Sequence, residues 1–383
     1  MRLWIESAHR TLTGPGTPVA GDVIRTGRTH AEFHAVLASH PDDERGSAQG
    51  ALAVRIAQQT TALLEAHHSP VEAVATVLKD LAQDLYLPFS ILQIQADNQA
   101  HLVECDAPPL FLTRRGRLVL LPVIEEVAYG RLIRQCRFPV ERGDYLAIVS
   151  AGFIQAHGWD RRWGWRDIAT SIRRLTALRG DAEQLLEELV SVYRRISHGD
   201  ASRDASVLAM FARPIRTATV WSGPPADPAL DERMLQKLMI EDDIRIICGN
   251  TTAEIAAREL GAKLTLEPRP EDNWEEIPPT FRLDNVDLVT EGLITLTHAQ
   301  ERMVGIERAR ELSPGIDGAT RLARLLLTAD QIHFLIGTAV NPAQTTGPAG
   351  TIPLRAVAIK NLMADLQARG KIITAEYPDA DDL

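Results

Sequence analysis

Gly143-Asp-Tyr-Leu-Ala-Ile-Val-Ser-Ala-Gly-Phe-Ile-Gln-Ala156 is the stretch whose reading sets the fold. Five apolar residues, Tyr145–Val149, follow a Gly-Asp pair and end at Ser150. A short apolar run bounded by turn residues predicts a buried strand. Upstream, Ser90–Ile94, His101–Glu104, Leu110–Thr113 and Leu118–Leu121 read as strands separated by Asp97-Asn98 and Arg115-Gly116. Before them, Gln49–His67 and Val71–Asp84 carry apolar residues at helical spacing. Ser69-Pro70 supplies the start of the second helix, with serine as N-cap and proline at the first helical position. Arg2–Ser7 and Glu32–Ala38 read as the first strands, followed by an acidic turn, His40-Pro-Asp-Asp-Glu-Arg-Gly46. Downstream, Trp165–Leu178 and Glu183–Ile196 are amphipathic helices and Ser206–Phe211 is a strand. The order β-β-α-α-β-β-β-β-α-α-β predicts an α/β/β/α sandwich, two packed sheets with a helix layer on each outer face.

A break comes near Pro214, and Trp221-Ser-Gly-Pro-Pro-Ala-Asp-Pro228 is rich in helix and strand breakers. Beyond it strand and helix alternate: Ile244–Cys248, Thr251–Leu260, Asp287–Val289, Leu296–Val304, then Ala319–Thr328, Gln331–Ile336 and Val357–Arg369. That is βαβ order and predicts a second α/β domain with a parallel sheet. The expected organisation is therefore a first domain over 1–212, a linker over 213–228 and a second domain over 229–377.

Composition narrows the function classes. A net charge of −10 over 383 residues argues against a nucleic-acid binder held by phosphate contacts. Cys105, Cys136 and Cys248 are far apart and form no CxxC pair, so they read as buried thiols rather than metal ligands. No signal-peptide core and no run of eighteen apolar residues is present, so a cytoplasmic protein with no membrane partner is expected.

Four pieces in order resemble the SpoIIE-type PPM family of metal-dependent serine/threonine protein phosphatases. They are Gly21-Asp22; Asp106-Ala-Pro-Pro-Leu-Phe-Leu112; Arg142-Gly-Asp-Tyr-Leu-Ala-Ile-Val-Ser150; and Ser202-Arg-Asp-Ala-Ser-Val-Leu208. The resemblance covers roughly residues 1–212. It implies a PPM-like sandwich, a phosphorylated partner protein and two Mg²⁺ or Mn²⁺ ions on carboxylate oxygens, activating a water that attacks phosphorus in line. It also implies a damaged site. Asp22 matches the early metal-ligand aspartate. Ala151 stands where the strand aspartate is expected, and a methyl group cannot bind a cation. Arg203 aligns with the terminal aspartate, although Asp204 is adjacent. The remaining ligand loop falls near Asp42 and Asp43. Three alternatives follow: a lost site used for binding, a pseudophosphatase; a shifted site in which Asp22, Asp42, Asp43 and Asp204 hold one metal; or Asp42-Asp43-Glu44 as a solvated acidic turn.

A second constellation is Ile244-Arg-Ile-Ile-Cys-Gly-Asn-Thr-Thr-Ala-Glu-Ile-Ala-Ala257, strand, glycine turn and helix. Free N–H groups at such a helix start favour an anion. Gly249, Asn250, Thr251 and Thr252, facing Thr290, Glu291 and Gly292 at the carboxyl end of another strand, are candidate residues for a small anion or nucleotide. The alternative is a helix capped by Asn250 or Thr251, with Glu254 completing a capping box. Gly223-Pro224-Pro225, Cys248–Arg258, Asp287–Leu296 and Arg321–Ala343 resemble the C-terminal extension of a bacterial subgroup of the same family, with Asn250 in place of a second glycine. The Trp- and Arg-rich loop Gly158–Arg166 reads either as a partner hot spot or as packed tryptophans beneath snorkelling arginines.

The function expected from the sequence is thus a signalling protein phosphatase of weak or absent activity. The alternative is a non-catalytic regulatory module that binds a phosphoprotein or a nucleotide.

Overall fold

The computed structural model describes residues 2–13, 21–29, 32–39, 46–81, 87–154, 164–176, 180–197, 204–239, 244–268, 277–339, 345–346 and 352–377. Asp42, Asp43, Arg203 and most of the loop Gly158–Arg166 lie outside them. The chain divides into two compact units, Met1–Pro214 and Ile215–Leu383.

The first unit runs β1 (Leu3–Leu12), β2 (Val23–Arg28), β3 (Glu32–Ala38), α1 (Gly46–Glu65), α2 (Pro70–Lys79), β4 (Phe89–Gln95), β5 (Gln99–Cys105) and β6 (Phe111–Arg114). It continues with β7 (Arg117–Val119), β8 (Ile124–Ala128), β9 (Arg131–Pro139), β10 (Tyr145–Val149), α3 (Ala151–Ile154), α4 (Trp165–Thr176), α5 (Ala182–Ser197) and β11 (Ala205–Pro214). Among the described residues two antiparallel sheets form, β1-β11-β10-β6-β7 and β2-β3-β4-β5-β9-β8.

Side-chain alternation explains the layers. Successive residues of a strand face opposite sides of the sheet. In β10, Leu146 and Ile148 enter a core shared with Phe33, Ala35 and Leu37 of β3, between the two sheets. Tyr145, Ala147 and Val149 face the other way, onto Ile168 and Ile172 of α4 and Leu185 and Leu189 of α5. Val36 and Ala38 of β3 likewise turn outward onto Ala53 and Ile56 of α1 and Val74 and Val77 of α2. Both strands are buried along their whole length because both faces are covered. Each large side chain buried there contributes about 1.5–3 kcal/mol. The expected α/β/β/α sandwich is the observed one. Ser69 caps α2 in a reciprocal capping box with Glu72, with Pro70 in its first turn.

Strands β2, β8 and β9 were not expected. Residues of β8 are almost all exposed, because it lies at the sheet edge. The β8–β9 turn has positive φ at both Tyr129 and Gly130, a type I′ hairpin lacking the usual Asn-Gly signal.

The second unit contains β12 (Thr217–Ser222), α6 (Asp231–Leu238), β13 (Ile244–Cys248), α7 (Asn250–Leu260), β14 (Thr265–Leu266), β15 (Phe281–Arg282), β16 (Leu288–Thr290) and α8 (Leu293–Met303). Then come α9 (Gly318–Thr328), β17 (Gln331–Ile336), the two-residue β18 (Thr345–Thr346) and β19 (Ile352–Pro353), α10 (Leu354–Ala368) and β20 (Ile372–Glu376). The stretch 213–228, expected as a linker, instead carries β12, which pairs in parallel with both β13 and β17. Gly223-Pro224-Pro225 ends a central strand rather than separating domains.

Across this sheet, β16, β13, β12, β17 and β20 are parallel, with β14 and β15 antiparallel at one edge. The parallel strands thus stand in chain order third, second, first, fourth, fifth. Trp221, Ile247, Val289 and Leu335 pack on α6 and α7. Val220, Ile246, Leu288 and Phe334 pack on the opposite face against α8, α9 and α10. This is a doubly wound sheet, and its order reverses at β12. Among the described residues no helix is long and apolar enough to cross a membrane.

Candidate functional site

The site expected in the first unit lies where β10 ends and β11 begins. The two strands run antiparallel with Val149 opposite Val207. One step further, Ser150 N–H donates to Ser206 O and Ser206 N–H donates to Ser150 Oγ, both at 2.9 Å. The Ser206 hydroxyl also lies 2.8 Å from that of Thr11. Ala151 follows Ser150 and Asp204 lies two residues before Ser206, so both stand at this end of the strand pair. Gly21 N–H donates to Asp204 Oδ2, which draws the Gly21-Asp22 pair to the same strand ends. Asp22 and Asp204 are both buried. Burial, and after it the charges of Asp22 and then Asp204, push the Tyr193 hydroxyl up to about 12. Tyr193 therefore stays neutral beside the two carboxylates, its ring stacked on Phe153 at 4.8 Å.

Among the described residues no two-ion centre is assembled; Asp42 and Asp43, expected to contribute ligands, lie outside them. Hard divalent ions take six or more oxygens and need carboxylates to neutralise them. Asp22 and Asp204 both lie near Tyr193, and the end of β10 offers the methyl of Ala151. Among the described residues no group of three or more His, Cys, Asp or Glu side chains could hold a metal.

The proline turn of Asp106–Leu112 is held by a buried carboxylate absent from the sequence reading. Leu110 N–H donates to Glu104 Oε1 at 2.6 Å, and Arg134 Nη2 lies 3.1 Å from Glu104 Oε2. Burial raises the Glu104 carboxyl to about 7, against the opposing pull of Arg134 and the Leu110 N–H. The folded protein therefore keeps this proton up to about pH 7, whereas the unfolded chain releases it near 4.5. Glu104's contribution to stability falls as pH rises through that window. Glu104→Gln is expected to remove that slope, a difference on the order of 3 kcal/mol across the window. Urea denaturation of both proteins from pH 5 to pH 8 measures it. Parallel pH profiles would mean that Glu104 is ionised throughout.

In the second unit the structure gathers the seven predicted residues at the carboxyl ends of β13 and β16. Gly249 N–H donates to Thr290 O at 2.9 Å. Gly249 and Gly292 both have strongly positive φ, 140° and 133°, which favours glycine. A Cβ on Gly292 would sit 3.4 Å from Gly249 Cα, so the two turns touch through bare backbone. The expected side-chain cap is not observed: the N-cap of α7 is Gly249, and no side chain caps it. Gly249 suits the helix start because its φ of 140° disfavours a side chain, and a Cβ there would sit 2.9 Å from the Thr252 hydroxyl. Glu291 serves its own helix, accepting Ile294 N–H at 3.1 Å. Cys248 lies beneath, wholly buried, and desolvation pushes its thiol up to about 12, so it stays an unreactive thiol.

A cavity of about 250 Å³ opens over these turns. Its wall also includes Pro224, Leu293 and Ala339, quoted from the sequence only within longer stretches, and Arg355, which the sequence reading did not single out. Arg355 Nη2 donates to Gly337 O and Ala339 O, each at 3.1 Å. The positive φ of Gly223 lets that guanidinium lie against its Cα, where a side chain would collide with it.

No protein-family model matches the chain, and no curated protein does. Among solved structures, the chain is similar to phosphatase domains. The phosphatase domain of the cell fate determinant SpoIIE from Bacillus subtilis is 13% identical, covering 55% of this chain and 93% of that one, with a TM-score of 0.44. The RsbU and RsbW domains of Rv1364c from Mycobacterium tuberculosis are 16% identical, covering 61% and 67%, with a TM-score of 0.47. The SiaA-PP2C domain of Pseudomonas aeruginosa is 13% identical, covering 53% and 84%, with a TM-score of 0.42. The four-layer order of the first unit stands on its own side-chain alternation.

Proposed function

We propose that the first unit is a SpoIIE-type phosphatase-like module that holds a phosphorylated serine or threonine segment of a partner protein with little or no hydrolysis. The observation that carries this reading is that Gly21-Asp22 is tied to Asp204 at the start of β11, while the adjacent end of β10 carries Ala151 in place of a carboxylate. Phosphoryl hydrolysis by two ions needs a symmetric clamp on the attacking and leaving oxygens. A missing carboxylate takes from the metals both an oxygen ligand and a neutralising negative charge. Arg203, next to Asp204 in sequence, adds a cation where the family resemblance calls for a carboxylate. A guanidinium binds phosphate in a planar, bidentate manner and so favours holding the phosphate over activating a water.

Two measurements on the full chain test this. Calorimetric titration with Mn²⁺ is expected to show weak binding without a two-ion stoichiometry. A phosphopeptide panel is expected to release no phosphate above background on adding Mn²⁺. Tight binding of two ions together with Mn²⁺-dependent release would establish a working, shifted site instead.

A further inference from the structure

We propose that the cavity at the carboxyl edge of the second unit's sheet binds a phosphate ester bearing vicinal hydroxyls, a nucleotide or a sugar phosphate, with the phosphate between the start of α7 and Arg355. This site is independent of the phosphatase-like reading of the first unit. Its position is the first argument. The strand order reverses at β12, and the cavity is walled by the turns after β12, β13, β16 and β17. In open α/β sheets the crevice beside such a reversal is where ligands sit.

The chemistry of the wall is the second. The N–H groups of Asn250, Thr251 and Thr252 precede the first intrahelical bond, which runs from Ala253 N–H to Gly249 O at 2.9 Å. An uncapped start of this kind presents donors and the positive end of the helix dipole. Thr252 is 1% exposed, lines the cavity, and its hydroxyl has no hydrogen-bond partner among the described residues. A buried hydroxyl without a partner costs stability, and a ligand oxygen would satisfy it. Arg355 brings a half-buried guanidinium held by two carbonyls and, among the described residues, by no carboxylate. Burial lowers its pKa, and an anion against it would offset that penalty.

Glu291 sets the ligand class. Among the described residues it is the one carboxylate on the wall, and one of its oxygens is taken by Ile294 N–H. Its other oxygen repels a phosphate but accepts from a hydroxyl. The arrangement therefore separates a phosphate end, at α7 and Arg355, from a hydroxyl end at Glu291. A volume of about 250 Å³ accommodates a sugar phosphate, or the phosphate and ribose of a nucleotide.

The test uses the full chain, by calorimetry and thermal shift, with inorganic phosphate, ribose 5-phosphate, AMP, ATP and adenosine as probes. At least one ester is expected to bind, more tightly than inorganic phosphate and than adenosine. Arg355→Gln and Thr252→Val are each expected to weaken that ester roughly tenfold or more, since each removes a donor to a charged group. Arg355 also holds Gly337 and Ala339, so Arg355→Gln could loosen the fold itself. Thr252→Val keeps the side-chain shape, and it decides the matter if its unliganded melting temperature matches wild type. Binding of no ester, equal binding by Thr252→Val and wild type, or inorganic phosphate or adenosine binding as tightly as any ester would each overturn the proposal.

Discussion

Replacing Ala151 and Arg203 together by aspartate is expected to raise Mn²⁺ affinity by roughly tenfold at least, since even outer-shell groups at metal sites carry that much. Ala151 follows Ser150 at the end of β10, and Asp204, two residues before Ser206 at the adjacent strand end, is tied to Gly21-Asp22. A carboxylate on residue 151 would join two buried aspartates already in place. Three carboxylates of like sign repel one another without a cation, so the change is expected to lower stability in metal-free buffer and to restore it with Mn²⁺. Arg203→Asp removes a cation that opposes the metal in the reading from sequence. Calorimetry gives the affinity, and melting with and without Mn²⁺ gives the coupling. If the double variant binds Mn²⁺ no better than wild type, the strand ends do not form a lapsed metal site. Whether hydrolysis also returns is a separate outcome, because activating a water needs the second ion as well.

Arg114→Met is expected to destabilise the first unit by about 3 kcal/mol, the lower end of what breaking a buried ion pair costs. Arg114 forks onto Asp144 through Nε and Nη2 at 2.9 and 2.7 Å, and Nη1 reaches Glu141 at 2.8 Å. Asp144 is fully buried, and its Oδ2 also accepts Glu141 N–H at 2.8 Å. Asp144 closes the turn that launches β10: its own N–H donates to Glu141 O, across Gly143 at φ 88°. That geometry is a type II turn, which favours glycine at its third position. Methionine would keep the aliphatic packing but leave a buried carboxylate without its cation. Arg114 is partly open to solvent, which is why the lower end applies. For a unit of this size the loss corresponds to roughly 6–12 °C in melting temperature. A shift of a degree or two would show that the backbone N–H alone satisfies Asp144.

The Gly-Asp pair before β10 was thus legible as a motif, but its cation partner was not. Arg114 lies at the end of β6, and only the pairing of β6 with β10 brings the two together. The same contrast holds for Glu104, one glutamate in an apolar strand until its contact with the Leu110 N–H and Arg134 is seen.

What the sequence determined by itself was local. The apolar run of β10 and the largely apolar β3 announce buried strands, and Ser69-Pro70 announces a helix start, because these signals lie within a few residues of one another. They sufficed for the sandwich and for the parallel sheet. The tertiary structure alone decided what depends on neighbours distant in the chain. It made β12 the centre of the second sheet, where breakers nearby suggested a linker, since a strand's place in a sheet follows from which strands cover its two edges. It hid β8 from a pattern reading, because an exposed edge strand has no buried face to show. It brought Asp22 to Asp204, and Arg355 to the start of α7, through backbone turns whose close approach follows from chain packing and leaves no periodic trace in the sequence.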